Sequence, residues 1–347
     1  MKLIIQVPCH NEEDQLPGML ADLPREVEGF DSVEWLVIDD GSTDRTVEIA
    51  RAGGVDHVVS HSHNRGLAAA FMTGLEACLQ LGADVIVNTD GDNQYRADFI
   101  PALTKPVLSG QAQIVVGARP ISAIQHFSPF KQMLQRLGSW VVRRASGTNV
   151  ADAPSGFRAI HRDAAVRLYV INPYTYTLET IIQAGRLGIP VMSVPVEVNG
   201  PTRDSRLIKS VRQYVSRSAT TIFRILMLYK PLRMFSFAAL LVAAPGIIAL
   251  VRFLYFYSVG QGGGHVQSLV LGSAFMAAGV VIFVGGLLAD LIAANRVLLA
   301  EIRSRQLLAD ISRANANTAT RLPALENQIA VAPKRKAVAK LGKSRAK

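Results

Sequence analysis

Residues 85–95 read VIVNTDGDNQY: an apolar, β-branched run that ends in two carboxylates one residue apart, Asp90 and Asp92. Alternate side chains of an extended chain point the same way, so the two acids share a face. Like charges held together are unfavourable unless solvent screens them in a turn or a cation sits between them. Hard oxygen ligands of this kind suit Mg2+ or Mn2+ held largely through a substrate's phosphates. A calcium loop is excluded, because its sixth position needs Gly and its twelfth Glu, where this chain has Tyr95 and Pro101. A plain Asp-Gly turn is the alternative.

The run has companions. LIIQV (3–7), EWLVI (34–38), HVV (57–59), DVIVN (84–88) and QIVVGA (113–118) read as strands, with helical patterns near 12–23, 43–52, 66–81 and 97–109 between them. Strands apolar on both faces, alternating with helices, predict a doubly wound, mostly parallel α/β sheet. Ligands of such sheets collect beyond the carboxyl ends of the strands. Asp90 and Asp92 lie at one such end, and Asp39 and Asp40 of VIDDGSTDRT (37–46) at another. Ser42 or Thr43 can cap the following helix. Capping does not account for the paired acids, and an exposed Asp there can accept from a nucleobase N–H or a ribose hydroxyl.

The 347 residues carry a net charge of +10 that is unevenly divided: residues 1–200 sum to −6 and residues 201–347 to +16. An acidic front half argues against a nucleic-acid partner, while the basic back half calls for an anionic surface. Hydrophobicity names that surface. Met234–Val251 is uncharged and its apolar character continues to Tyr257, and Val266–Ala289 is a second uncharged run. Each is long enough to cross a bilayer, and SVGQGGGH (258–265) joins them into a hairpin. Lys230 and Arg233 precede the pair, and Arg296, Arg303 and Arg305 follow it, so the positive-inside rule puts both ends in the cytoplasm. Between 201 and 233, Leu207, Ile208, Val211, Tyr214 and Val215 alternate with Arg206, Lys209, Arg212 and Arg217, the pattern of a basic amphipathic helix lying on anionic headgroups. The Ala/Lys/Arg-rich end from Ala330 is expected to be disordered. MKLIIQVPCHNEE has no secretory-leader pattern, and Cys9 and Cys78 suggest neither a disulfide framework nor a zinc site. His61 and His63 in SHSHN (60–64) could be metal ligands, but a solvated loop is the favoured reading.

VPCHNEE (7–13), VIDDGSTD (37–44), NRGLAAAFMTGL (64–75), DGD (90–92) and PSGFRAIHR (154–162) together resemble, in order, the family 2 glycosyltransferases of GT-A fold. The match is nearest their polyprenyl-phosphate branch, which includes dolichol-phosphate mannosyltransferase, and it spans about residues 1–233. The resemblance implies a GT-A catalytic domain over 1–200, interfacial helices over 201–233, transmembrane helices over 234–257 and 266–289, and a cytoplasmic tail over 290–347, the whole seated in a bacterial inner membrane. It also implies an inverting transfer of a sugar from a UDP- or GDP-linked donor to polyprenyl phosphate, with Mg2+ or Mn2+ as cofactor. Oligomeric state is left open, a homo-oligomer included.

The resemblance assigns roles residue by residue. Pro8, His10 and Glu12 line the nucleotide pocket with Asp39 and Asp40, His10 standing where the family usually has Tyr. Asp90, Asp92 and Gln94 hold the metal and diphosphate, and Gly91 replaces the commoner Ala. Arg119 meets the sugar phosphates. Asp152 and Arg158 belong to the loop that faces the acceptor, and Glu179 lies behind the donor sugar. Arg203 and Arg206 of RDSR replace the Gly and Lys of a later family motif. Arg119, Arg158 and Arg206 would orient an acceptor phosphate, which is already ionised, and Asp152 would serve as base if the acceptor were a hydroxyl. A processive polysaccharide synthase is disfavoured, since QAGRL (183–187) lacks the expected Trp and two spans cannot enclose a polymer. Transfer to a lipid hydroxyl of the diacylglycerol or ceramide type stays open, as does a non-catalytic nucleotide-binding scaffold. A nucleotide-sugar pyrophosphorylase would need a Gly-rich loop where PCHNEE stands.

Overall fold

The computed structural model describes residues 1–119, 129–170, 176–199 and 231–331, with isolated positions 220, 223, 224 and 227. Five strands fall where the apolar runs predict them: β1 (Lys2–Cys9), β2 (Ser32–Asp39), β3 (His57–Ser60), β4 (Val85–Asn88) and β5 (Ile114–Ala118). Two more, β6 (Arg158–His161) and β7 (Val191–Pro195), complete a seven-stranded sheet ordered β3-β2-β1-β4-β6-β5-β7. All pairings are parallel except those of β6, which runs antiparallel between β4 and β5. That reversal sets the start of β6, and the loop before it, against the carboxyl end of β4: Asn88 lies opposite Arg158.

Helices α1 (Leu16–Asp22), α2 (Thr46–Ala52), α3 (Leu67–Gln80), α4 (Ile100–Leu108), α5 (Pro129–Ser146), α6 (Arg162–Arg167) and α7 (Thr177–Arg186) accompany the sheet. The core is what a two-sided sheet needs: Leu3, Ile4, Ile5, Val7, Leu36, Val37, Ile38, Val85, Ile86 and Val87 are all fully buried. Gln6, in the middle of β1, and Asn88, closing β4, are the polar exceptions, in direct register, and Gln6 Nε2 donates to Asn88 Oδ1 at 2.8 Å.

Two apolar helices follow, α8 (Pro231–Ser258) and α9 (Val266–Val331). Both are long and apolar enough to cross a membrane, and only 11% of each apolar window is buried within the protein. They pack as an antiparallel pair through small residues. A Cβ at Gly272 would lie 3.0 Å from Ala249 Cβ, one at Gly279 2.8 Å from Ala243 Cβ, and one at Gly286 2.5 Å from Phe235 Cβ, so partners descend as the glycines ascend. Backbones this close are the usual basis of helix association in lipid. Helix α9 continues well past the expected end of the span at 289. Its Arg303 pairs with Glu76 of α3 and lies over the Tyr169 ring at 4.5 Å to the centroid. The compact unit runs from Met1 to Ser304, and Arg305–Lys347 forms a separate one. Most of the expected interfacial segment 201–233, with Arg203 and Arg206, and the basic end of the chain lie outside the described residues.

Candidate active site

The loops after β1 and β2 are stitched together before any ligand arrives. Asn11 N–H donates to Ser42 Oγ at 2.9 Å, Thr43 N–H to Asn11 Oδ1 at 2.8 Å, Glu12 N–H to Thr46 Oγ1 at 2.9 Å and Glu13 N–H to Asp44 Oδ2 at 3.2 Å. Asn11 takes a left-handed φ of 54°, which a short polar side chain tolerates. His10 is half-buried and its Nδ1 lies 2.9 Å from the Asp40 carbonyl oxygen. An oxygen there can only accept, so Nδ1 carries the proton and Nε2 is left as an acceptor.

Asp39 and Asp40 part company at this point. The expectation of exposed acids is corrected: both are buried, at 4% and 3% exposure. Asp39 Oδ1 accepts from Ser42 N–H at 2.9 Å and stays with the β1–β2 loops. Asp40 turns the other way and accepts from His61 Nδ1 at 2.7 Å and from the backbone N–H groups of Arg65 and Gly66, each at 2.8 Å. Burial opposes its charge, but these donors win and hold its carboxyl below the usual range. Asp40 therefore anchors the 61–66 turn and is removed from the nucleotide contacts. His61 is corrected with it, being buried between Asp40 and Thr73 Oγ1 (3.0 Å) instead of solvated. His63 is exposed, as read.

At the end of β4 the turn bearing Asp90 and Asp92 is braced on both sides. Gln94 N–H donates to Asp92 Oδ1 at 3.1 Å, Asn199 Nδ2 donates to the Asn93 carbonyl at 2.9 Å, and Asn199 N–H to the Gln94 carbonyl at 2.9 Å. Gly91 has a reason to be Gly: a Cβ there would lie 2.8 Å from Cys9 Sγ, with the Pro8 carbonyl and Glu12 Cγ next nearest at 3.4 and 3.6 Å. Pro8, Glu12 and the acid pair are thus neighbours. Burial, then the charge of Asp92, pushes the Asp90 carboxyl up to about 7. Among the described residues no cluster of three or more His, Cys, Asp or Glu is gathered for a metal. Two carboxylates that repel each other at a strand end still fit an ion that takes the rest of its ligands from phosphate and water.

A pH dependence follows from Asp90. Its folded-state pKa is raised, so between about 4 and 7 the folded protein binds more protons than the unfolded chain and loses stability as pH rises. Thermal unfolding in chelator should show Tm falling across that window, and Asp90→Asn should remove this component of the slope. An unchanged slope in the variant would refute the assignment.

On the β5–β6 side, Arg119 and Asp152 form a bidentate pair: Nε to Oδ2 at 2.7 Å and Nη2 to Oδ1 at 3.2 Å, with Arg119 N–H also on Oδ2 at 3.3 Å. Asp152 is 1% exposed and Arg119 lies over the Tyr95 ring at 6.0 Å. The loop between Asp152 and β6 then passes over Asp90. A Cβ at Gly156 would lie 2.7 Å from Tyr176 Oη and 2.9 Å from Asp90 Oδ2.

This arrangement of a braced acid pair beside the stitched loops after β1 and β2 has relatives. The family model for glycosyl transferase family 2 matches residues 4–168. An uncharacterized protein of Methanocaldococcus jannaschii is 30% identical over 205 residues, covering 56% of this chain and 81% of its own. The chain belongs to glycosyl transferase family 2. An undecaprenyl-phosphate mannosyltransferase of Micrococcus luteus is 29% identical over 206 residues, covering 56% of this chain and 83% of its own. A polyprenol monophosphomannose synthase of Mycolicibacterium smegmatis is 24% identical over 206 residues, covering 56% and 76%. Among solved structures, glucosyl-3-phosphoglycerate synthase of Mycobacterium tuberculosis with phosphoglyceric acid superposes with a TM-score of 0.52 at 23% identity, covering 65% of this chain and 79% of that one. The fold is GT-A.

In this family 2 glycosyltransferase, one expected acceptor contact is corrected outright. Arg158 is fully buried and commits its guanidinium to protein oxygens: Nε to the Ser155 carbonyl (2.9 Å), Nη2 to the Ala153 and Thr177 carbonyls (2.8 Å each) and Nη1 to Thr180 Oγ1 (2.5 Å). It clamps the 152–158 loop to α7 and has no free edge for a phosphate. Arg158→Met should remove four charge-assisted bonds of a buried guanidinium to three carbonyls and a hydroxyl and cost about 3–5 kcal/mol. That corresponds to a fall in Tm of roughly 10 °C in thermal unfolding; a Tm within about 2 °C of wild type, equivalent to less than about 1 kcal/mol, would contradict the clamp. Glu179 is buried on α7 and accepts from Gln183 Nε2 at 3.3 Å, so the surface-helix alternative is also set aside.

Asn88, Gly156 and Tyr176 were not legible as site residues. Asn88 Nδ2 donates to the Gly156 carbonyl at 2.9 Å and to Tyr176 Oη at 3.0 Å, beneath the acid pair. The one signal available was Asn88 itself, a polar residue closing a four-residue apolar strand. Burial and the neighbouring Asp90 raise the Tyr176 phenol well above its ordinary value, which keeps it protonated.

Proposed function

We propose that this glycosyltransferase is a membrane-anchored, inverting enzyme that moves a sugar from a nucleoside diphosphate donor to polyprenyl phosphate. The names of the Micrococcus and Mycolicibacterium relatives support that acceptor class. The observation that carries it in this chain is the state of Asp152. Both of its oxygens are engaged by Arg119 and it is 1% exposed, so it is poorly placed to take a proton from a hydroxyl. A phosphate, ionised at pH 7, needs orientation instead. Arg119 Nη1 has no protein partner among the described residues and would offer a charge-assisted contact.

Pro8, His10, Glu12 and Asp39 would cradle the nucleoside, and Asp90 and Asp92, with Gln94 beside them, would hold Mg2+ or Mn2+. Such an ion neutralises charge developing on a leaving diphosphate. The chain's own contribution is a prearranged set of loops: those after β1 and β2 are fixed by four cross-loop bonds, and the 152–158 loop is fixed by Arg158. The deciding experiment is incubation of the detergent-purified protein with a panel of nucleotide sugars and polyprenyl phosphate, with the product identified by mass. No glycosylated lipid from any donor would reject the reading.

Helices α8 and α9 would form a transmembrane hairpin. The contact of Arg303 with Glu76 and Tyr169 supports a catalytic domain on the same side as the end of α9. Reporters fused before Met1 and after Lys347 should both score cytoplasmic. A periplasmic score at either end would mean that one apolar run does not cross.

A further inference from the structure

Beneath Asp90 runs a buried chain of polar groups that the transfer reaction itself does not call for. Gln6 and Asn88 are fully buried in the two central strands. Gln6 Oε1 is crowded by α3, where a Cβ at Gly74 would lie 2.5 Å from it, and Gln6 Nε2 donates to Asn88 Oδ1. That bond fixes which way the Asn88 amide points, so both Nδ2 hydrogens face the loop, one on the Gly156 carbonyl and one on Tyr176 Oη. The Tyr176 ring cannot swing away: it is stacked on Phe71 of α3 with centroids 4.0 Å apart and planes at 14°. Its hydroxyl therefore accepts from Asn88 at a fixed position and has its own proton to give. The position it faces is the one left vacant by the missing side chain of Gly156, and the Asp90 carboxylate borders the same gap from the other side, with legs of 2.7 and 2.9 Å. Buried polar groups in apolar layers are retained where they are satisfied, and the Tyr176 hydroxyl proton has no acceptor among the described residues, with the Asp90 carboxylate across the Gly156 gap.

We infer that Tyr176 is a positioning residue for Asp90: its hydroxyl, oriented by Asn88 and Gln6, donates to the Asp90 carboxylate in the cation-loaded site. Gly156 is Gly because any side chain would part the two groups. The inference rests on the reading of Asp90 and Asp92 as cation ligands. Oriented ligand carboxylates are commonly held by such outer bonds, and their loss weakens metal affinity by about 10- to 100-fold.

The test is Mn2+ binding to the full-length protein in detergent with a saturating nucleoside diphosphate and no acceptor, followed by electron paramagnetic resonance, beside thermal unfolding. Tyr176→Phe keeps the ring and its stack and removes only the oxygen. It is expected to raise the Mn2+ dissociation constant at least about tenfold, with the apparent donor KM at saturating Mn2+ unchanged. Gly156→Ala approaches the pair from the other side and should produce the same loss, and the double variant should be no weaker than either single one. If one variant does not fold, the other carries the test. Wild-type Mn2+ affinity in a folded Tyr176→Phe or Gly156→Ala protein overturns the inference. A wild type that binds Mn2+ while Tyr176→Phe binds equally well rejects only the role of Tyr176; a wild type that binds none rejects the cation reading and the inference with it.

Discussion

Asp92→Asn should lower kcat by on the order of 1,000-fold while leaving Tm at or slightly above the wild-type value. Electrostatic stabilisation of a leaving diphosphate is worth several kcal/mol, and 1,000-fold corresponds to about 4 kcal/mol. The amide keeps the size of the side chain and can still meet the Gln94 N–H, so the turn has no reason to open. It also removes the charge that, after burial, does most to push the Asp90 carboxyl up, so the protein in chelator is relieved of a repulsion. Loss of activity without loss of stability is what separates a ligand from a structural acid, and the same comparison on Asp40→Asn should come out the other way. Asp40 holds His61 and two backbone N–H groups, and its loss should lower Tm first. Chelator should silence the wild type, with Mg2+ or Mn2+ restoring it. Full turnover by Asp92→Asn, or by the wild type in chelator, would remove the cation from the reaction.

The parts of this site that local pattern could reveal are those where strand and motif coincide. Asp90 and Asp92 close an apolar β-branched run, and that spacing alone places them together at a strand end. The first five strands were legible for the same reason, since burial on both faces leaves a nearly unbroken apolar signature. Strand β6 carried no such mark. Its apolar content is Ala159 and Ile160 between Arg158 and His161, and its antiparallel insertion is decided by the neighbours β4 and β5. Arg158 shows the converse failure. A cation at a strand terminus reads as a ligand contact, and only the fold reveals four protein oxygens around it. Asp40 failed likewise, because its partners come from a turn about 25 residues away. Tyr176 meets Asn88 across 88 residues of chain, a distance over which no periodicity or motif speaks.

The acceptor can be tested apart from the cation. If the nucleophile is a phosphate, Arg119 must recognise an anion from within its pair with Asp152, and a neutral headgroup offers it nothing comparable. Loss of a desolvated, charge-assisted contact costs on the order of 2–5 kcal/mol. Polyprenyl phosphate should therefore be turned over with a kcat/KM about 30- to 5,000-fold above that of the matching polyprenol. Arg119→Lys keeps the charge but cannot hold Asp152 bidentately while presenting a further N–H, so it should raise the KM for lipid more than that for nucleotide sugar. The rival in which a lipid hydroxyl attacks makes a different demand. It needs a carboxylate able to take a proton, and the Asp152 described here has both oxygens bound and almost no exposed surface. Under that rival Asp152→Asn would abolish kcat, whereas under the phosphate reading it loosens Arg119 and acts mainly through the lipid KM. Comparable turnover of the polyprenol or of a diacylglycerol, together with a kcat collapse in Asp152→Asn, would hand the site to the hydroxyl acceptor and require the Arg119–Asp152 pair to open during the reaction.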